Sequence, residues 1–248
     1  MSFLFSAFSK GKESNMTQRI SSASSVVAAL GLVLLSGCSR PSTNSVPSSA
    51  TDRANHLAAL QDKRQKYEAS LKAMNNEQLA PTLASDAAKG REPFNSTAYR
   101  EMVSRGAAAG PALKSQLVRN DRSSLLALLA LRQVDHEGYQ SLDPAFRVGV
   151  LVDALKNSKY FNTFGTPMVF WEDAAKAIID EGQAASGPLT ALLGDKRPAP
   201  VWGSEGTAIN RQYHYRVCDY AWALLSEIRH EKVTLPTDAA ERDRQIGL

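Results

Sequence analysis

Along most of this chain apolar residues recur every three or four positions with polar ones between, the pattern of helices that bury one face. Between Asp52 and Met74 the apolar set is Leu57, Leu60, Tyr67, Leu71 and Met74, with charged residues among them. The segment therefore predicts one long helix with a buried side and a wet side. A shorter helix is predicted over Glu77 to Lys89, with Pro81 in its first turns and Gly90 just past its end, where a missing N–H and a freed φ are tolerated. Together the two predict an N-terminal helical hairpin or an extended helical arm. Further back, Val26 to Leu35 is an apolar run about half as long as the roughly 20 residues a bilayer-crossing helix needs.

Self-similarity appears further along. Residues 96–117 align without gaps on residues 172–193, with Ala98, Gly106, Ala108, Ala109, Leu113 and Leu117 meeting Ala174, Gly182, Ala184, Ala185, Leu189 and Leu193. Arg122 to Val134 aligns likewise on Arg216 to Ile228, where Arg122, Ala127 and Leu131 meet Arg216, Ala221 and Leu225. Each copy reads as helix, Gly-bearing turn, helix and helix, and the second carries an insertion from Pro198 to Tyr215. Between the copies Asp143 predicts an N-cap and Pro144 a first helical position. Phe146, Val150, Leu151, Ala154 and Leu155 would then form a face that fills the space between units. Thr166 and Pro167 predict the start of the helix holding Trp171 and Ile178. The pattern resembles the HEAT-like class of α-helical repeats, whose units of roughly 40 residues bury their apolar faces by stacking. The resemblance covers residues 96–229 and implies an all-α repeat stack with a long aromatic loop insertion.

Composition narrows the class. With 43% hydrophobic and 22% charged residues the chain is globular rather than disordered. Aromatics are only 7% and β-branched runs are scarce, which argues against an all-β sandwich. Two cysteines, Cys38 and Cys218, exclude a disulfide framework and cysteine-rich zinc ribbons. Cys38 closes the run that begins at Val26, behind Arg19, Lys12 and Lys10. A basic start, a short apolar stretch and small residues before a junction make an export signal, and Met16 opens one that is complete by itself.

The quartet Leu35, Ser36, Gly37 and Cys38 resembles the lipobox of bacterial lipoproteins. That resemblance implies a mature N-terminus at Cys38, acylated on sulfur and amine, with outer-membrane sorting suggested by Ser39 where an aspartate would signal retention. Several acyl chains would hold the protein firmly in the envelope, at about 0.8 kcal/mol per buried methylene. The implied organisation is a signal at residues 1–37, a tether at 38–51, N-terminal helices at 52–90, the helical domain at 91–235 and a tail at 236–248. The tether, rich in Ser and Pro, spans about 20 Å as a coil.

The formal charge is +4, from 29 basic and 25 acidic side chains. Basic residues are scattered, as in Gln61 to Lys66, and form no stripe of the kind that tracks a phosphate backbone. A nucleic-acid partner is not expected. More than half of the aromatics fall in two windows, Tyr160 to Trp171 and Trp202 to Trp222. Insertions in helical stacks often carry the binding face. Trp202, Tyr213, His214 and Tyr215, with Glu205 and Arg211 to orient a partner, compose a candidate protein-binding surface. The other reading is a hydrophobic lid over one end of the stack.

Catalytic signatures are not found. The four histidines, His56, His136, His214 and His230, form no i, i+4 metal pair, and no nucleophile elbow, P-loop or dinucleotide turn is present. No cofactor is expected. Cys218, in an apolar helix, reads as a core residue. The carboxylates Glu172 with Asp173, and Glu205 with Asp219, could serve glycoside chemistry on cell wall. The expectation is a non-enzymatic envelope lipoprotein that binds another envelope protein as scaffold, adaptor or inhibitor; a carboxylate-dependent cell-wall hydrolase and a structural spacer are the alternatives.

Overall fold

The computed structural model describes residues 49–157, 164–199, 208 and 211–247, all within the unit Pro47–Leu248. Cys38, the export signal, most of the tether, Trp202 and Glu205 lie outside the described residues. The described residues are all-α: they hold twelve α-helices joined by turns and short 3-10 segments. Their β-structure is limited to two isolated bridges, Thr166 to Val169 and Pro198 to Arg216.

Helix α1, Ala50–Ala73, starts where the Ser49 side chain accepts a hydrogen bond from the Asp52 N–H, with Asp52 in its first turn and Lys72 in its last. Both charges oppose the helix dipole. Its apolar stripe is only half used. Leu71 is 1% exposed, whereas Leu57, Leu60 and Tyr67 are 59%, 49% and 40% exposed. The reason is length: α1 has 24 residues and leans on α4, Thr97–Ser104, which has 8. At 1.5 Å per residue that is about 36 Å of helix against about 12 Å of support. Arg105, capping α4, clamps the join by donating to the Leu71 carbonyl at 3.0 Å and to Asn76 Oδ1 at 3.1 Å.

The segment predicted as one helix over Glu77 to Lys89 is two, α2 (Asn76–Leu79) and α3 (Pro81–Ala88). Asn75 and Gln78 form a reciprocal capping box at the first. Gly90 adopts φ +78° after the second, a left-handed exit. Ser96 then caps α4, accepting from the Tyr99 N–H and donating to the buried carboxylate of Asp86 at 2.7 Å.

The two aligned segments fold into corresponding elements. The first yields α4, α5 (Gly110–Ser115) and α6 (Leu125–Val134); the second yields α9 (Asp173–Asp180), α10 (Gln183–Thr190) and α11 (Val217–Ile228). In each, the third helix packs on both others. The turn after the first helix carries Gly106 at φ +64° and Gly182 at φ +54°, with open space where a Cβ would stand. Backbone conformation, and not crowding, selects glycine there. Arg122 and Arg216, also aligned, both open the third element and both reach a neighbouring one. Arg122 donates to the Ala87 carbonyl of α3, and Arg216 pairs with Asp243 of α12, Ala239–Ile246.

Helix α8, Pro144–Asn157, begins as the sequence predicts, with Asp143 Oδ1 accepting from the Ala145 N–H. It packs against α6, α9 and α10 and so joins the two three-helix groups. A buried ion pair locks its first turns: Arg147 forks onto both oxygens of Glu181 at 2.7 and 2.8 Å. Tyr139 of α7, His136–Gln140, donates to the same carboxylate at 2.6 Å. The predicted helix start at Thr166 is corrected. Residues 166–169 close a tight turn with Met168 at φ +72°, and α9 opens only at Asp173, leaving Trp171 outside it and 67% exposed.

Candidate binding surfaces

The stems of the 198–215 insertion are stitched together by backbone. Ala199 donates to the Tyr215 carbonyl at 2.9 Å, and Val217 to that of Arg197 at 3.0 Å. Of the predicted surface residues, Arg211 and His214 are exposed, Tyr213 is half-buried and Tyr215 is buried. The Tyr213 and Tyr215 rings stack with centroids 5.1 Å apart, and Tyr215 meets Tyr220 edge-on at 6.2 Å. These two tyrosines therefore pack onto the helical body. Between them His214 is exposed and adopts φ +49°, a left-handed backbone uncommon for a residue other than glycine.

Beneath them lies Arg242 of α12, a guanidinium with 0% exposure. It donates to the carbonyls of Tyr213 at 2.7 Å, Thr237 at 2.8 Å and Pro236 at 2.9 Å, sits 5.4 Å from the Tyr215 ring, and pairs with Asp219 at 3.1 Å. Asp219 is shared with Arg216, which also reaches Asp243 at 2.7 Å, and Lys196 joins Asp243 at 2.9 Å. Hydrogen bonds from Arg216 and Lys196 hold the Asp243 carboxyl down at about 2. Asp219, one of the carboxylates considered for glycoside chemistry, is thus fully buried between two guanidiniums. Next to it burial, reinforced by Asp219, pushes the Cys218 thiol up to about 11, which keeps it protonated and inert at neutral pH.

A different surface opens among the N-terminal helices. Where α1 rises past α4, it walls an open cleft of about 680 Å³ against the end of α3 and the loop before α4. Helix α1 contributes Leu60, Lys63, Arg64 and Tyr67. The opposite wall brings Lys89, Arg91, Phe94 and Arg100, with Asp86 at the base. Phe94 is 57% exposed. Asp86 is buried and engaged by Ser96 and, at 3.5 Å, by Arg91. Arg64 is held by Glu68 at 2.8 Å, and Arg100 donates to the Phe94 carbonyl. Lys63 and Lys89 have no ion pair among the described residues. The cleft thus carries five cationic side chains to one carboxylate, beside apolar surface. Burial, with the Asp86 charge adding to it, pushes the Tyr67 phenol above its ordinary value.

None of these cleft residues was singled out as a site by the sequence. Lys63 and Arg64 belong to a stretch of scattered basic residues, Leu60 and Tyr67 to the stripe expected to be buried, and the rest come from a separate segment, so their convergence is a product of folding. Beyond Phe94 a second hollow contains Glu172 and Asp173; burial, then Asp173, raises the Glu172 carboxyl above its ordinary value. Among the described residues no cluster of His, Cys, Asp and Glu could hold a metal ion. No described helix is long and apolar enough to cross a membrane. The chain matches no protein-family model, no curated protein and no solved structure.

Proposed function

We propose that this protein is an envelope lipoprotein, anchored through Cys38 at the outer membrane, whose HEAT-like helical domain acts as an adaptor that binds another envelope protein. The observation that supports it is the arm of α1: a helix whose apolar residues are exposed for half its length beside a strongly cationic cleft. An apolar stripe rimmed by charge has the composition of a recognition surface. The HEAT-like reading draws on the two three-helix groups, the aligned positive-φ glycines and the aligned arginines at their third elements.

A photoreactive residue at Phe94 or Tyr67, in bacteria, tests this directly. A discrete protein adduct is expected from both positions and not from Val118, which is 79% exposed and does not line the cleft. Smears or no adduct from the cleft positions would refute the adaptor reading. The hydrolase reading retains one supporting observation, the raised carboxyl of Glu172 beside Asp173. It requires peptidoglycan-degrading activity that disappears with Glu172→Gln.

A further inference from the structure

Resting on the adaptor reading, we infer that the cleft receives an acidic amphipathic α-helix of the partner protein, laid along α1. Its apolar side would cover Leu57, Leu60, Tyr67 and Phe94, and its carboxylates would meet Lys63 and Lys89.

The shape of the ligand follows from spacing. Leu57, Leu60, Arg64, Tyr67, Leu71 and Met74 alternate at intervals of three and four, which are the a and d positions of a heptad seam. The lower end of that seam is covered: Leu71 is buried and Met74 is packed against the core. The covering element is itself a helix, α4, and it runs out after two turns. From Leu57 to Tyr67 the seam continues bare for about 15 Å, or three helical turns. A second helix on this track would complete the packing that α4 begins, using helix-in-groove recognition.

Charge selects the sign of that helix. Of the five cleft cations Arg64 is paired with Glu68 and Arg91 with the buried Asp86, which leaves Lys63, Lys89 and Arg100 without an ion pair among the described residues. Lys63 and Lys89 flank the seam from opposite walls, where the flanking e and g positions of a docked helix would lie. Glu or Asp at those positions would be attracted, and Lys or Arg repelled. The same charge argues against a second copy of this chain: in a two-fold dimer each patch faces itself. A parallel pair would set Arg64 against Arg64 within the seam, and in either orientation the cationic patches would be brought together.

The full chain in neutral-headgroup detergent is titrated into a fluorescein-labelled three-heptad peptide, with Leu at a and d and Glu at e and g. Saturable anisotropy is expected, falling with added salt. Lys63→Glu combined with Lys89→Glu should weaken binding at least about tenfold, as should Tyr67→Ala. A peptide with Lys in place of Glu should recover binding to the charge-reversed variant, a rescue that a misfolded protein could not show. Equal binding of a scrambled peptide of the same composition would overturn the inference. So would capture on anionic phosphatidylglycerol vesicles that the peptide does not displace, or self-association lost in Tyr67→Ala. If photocrosslinking from Phe94 traps a protein while the acidic peptide fails to bind, the adaptor reading stands and this inference falls. Failure of both removes both.

Discussion

The two ends of the helical body handle charge in opposite ways. At the C-terminal end, Arg242, Asp219, Arg216, Asp243 and Lys196 form a continuous chain in which each cation faces a carboxylate and Arg242 is wholly enclosed. At the N-terminal end the cleft gathers five cations, of which only Arg64 and Arg91 have carboxylate partners among the described residues, and much of the apolar surface is open. The first arrangement satisfies itself, so a ligand would have nothing to gain there. The second leaves positive potential and bare hydrocarbon together, and both are relieved only by something added.

The largest expected effect breaks the enclosed end. Arg242→Ala strands three backbone carbonyls and leaves Asp219 with one guanidinium, and should cost about 3–5 kcal/mol in urea unfolding. A loss below about 1 kcal/mol would mean α12 is not fastened by this residue. Leu71→Ala against Leu57→Ala divides a single helix between the two behaviours. The buried leucine should cost about 2–5 kcal/mol and the exposed one at most about 0.5 kcal/mol; equal costs would show that the upper part of α1 is covered by the protein's own residues. Gly106→Ala and Gly182→Ala should each destabilise by at least about 1 kcal/mol, because both hold a positive φ, Gly182 with ψ −126°. A difference between them would break their equivalence.

Acid supplies the smallest and most specific test. The folded Asp243 carboxyl sits at about 2, below the roughly 3.9 of an unfolded aspartate. The native state therefore binds fewer protons, and this group's contribution is full above about pH 4 and fades as pH falls toward 2. Asp243→Asn should lower the urea midpoint at pH 6 and flatten its decline between pH 4 and pH 2. An unchanged acid profile would place the titrating group elsewhere.

Much of the local structure is legible in particular residues. Asp143 with Pro144 marks the start of α8, Gly90 the exit of α3, and the paired glycines the first turn of each three-helix group. In each case the signal is chemical and short-range: a carboxylate that can cap, a ring that lacks an N–H, a residue that tolerates positive φ. The start at Thr166 was misplaced because Thr-Pro carries the same helix-opening chemistry in a tight turn. At that point the bridge to Val169 and the left-handed Met168 decided the path.

The candidate site was less legible. The aromatic composition of residues 202–215 can be read as a recognition surface or as a lid, because composition does not record which way a ring packs. Folding put Tyr215 over Arg242 and against Tyr220, residues distant in sequence. The cleft was hidden for the complementary reason, since Lys63 and Lys89 look like ordinary solvated lysines until α1 and the α3–α4 loop face each other.

What the amino-acid order determined by itself is the all-helical character, the apolar spacing of α1 and the caps and glycines that bound the helices, since these depend on periodicity and on residues a few positions apart. Which stretch of that seam would be covered, which charges would be enclosed and which would face one another across open space were decided only by tertiary structure. Burial and Coulomb energy depend on distances between segments, and here a short α4 beneath a long α1 sets those distances.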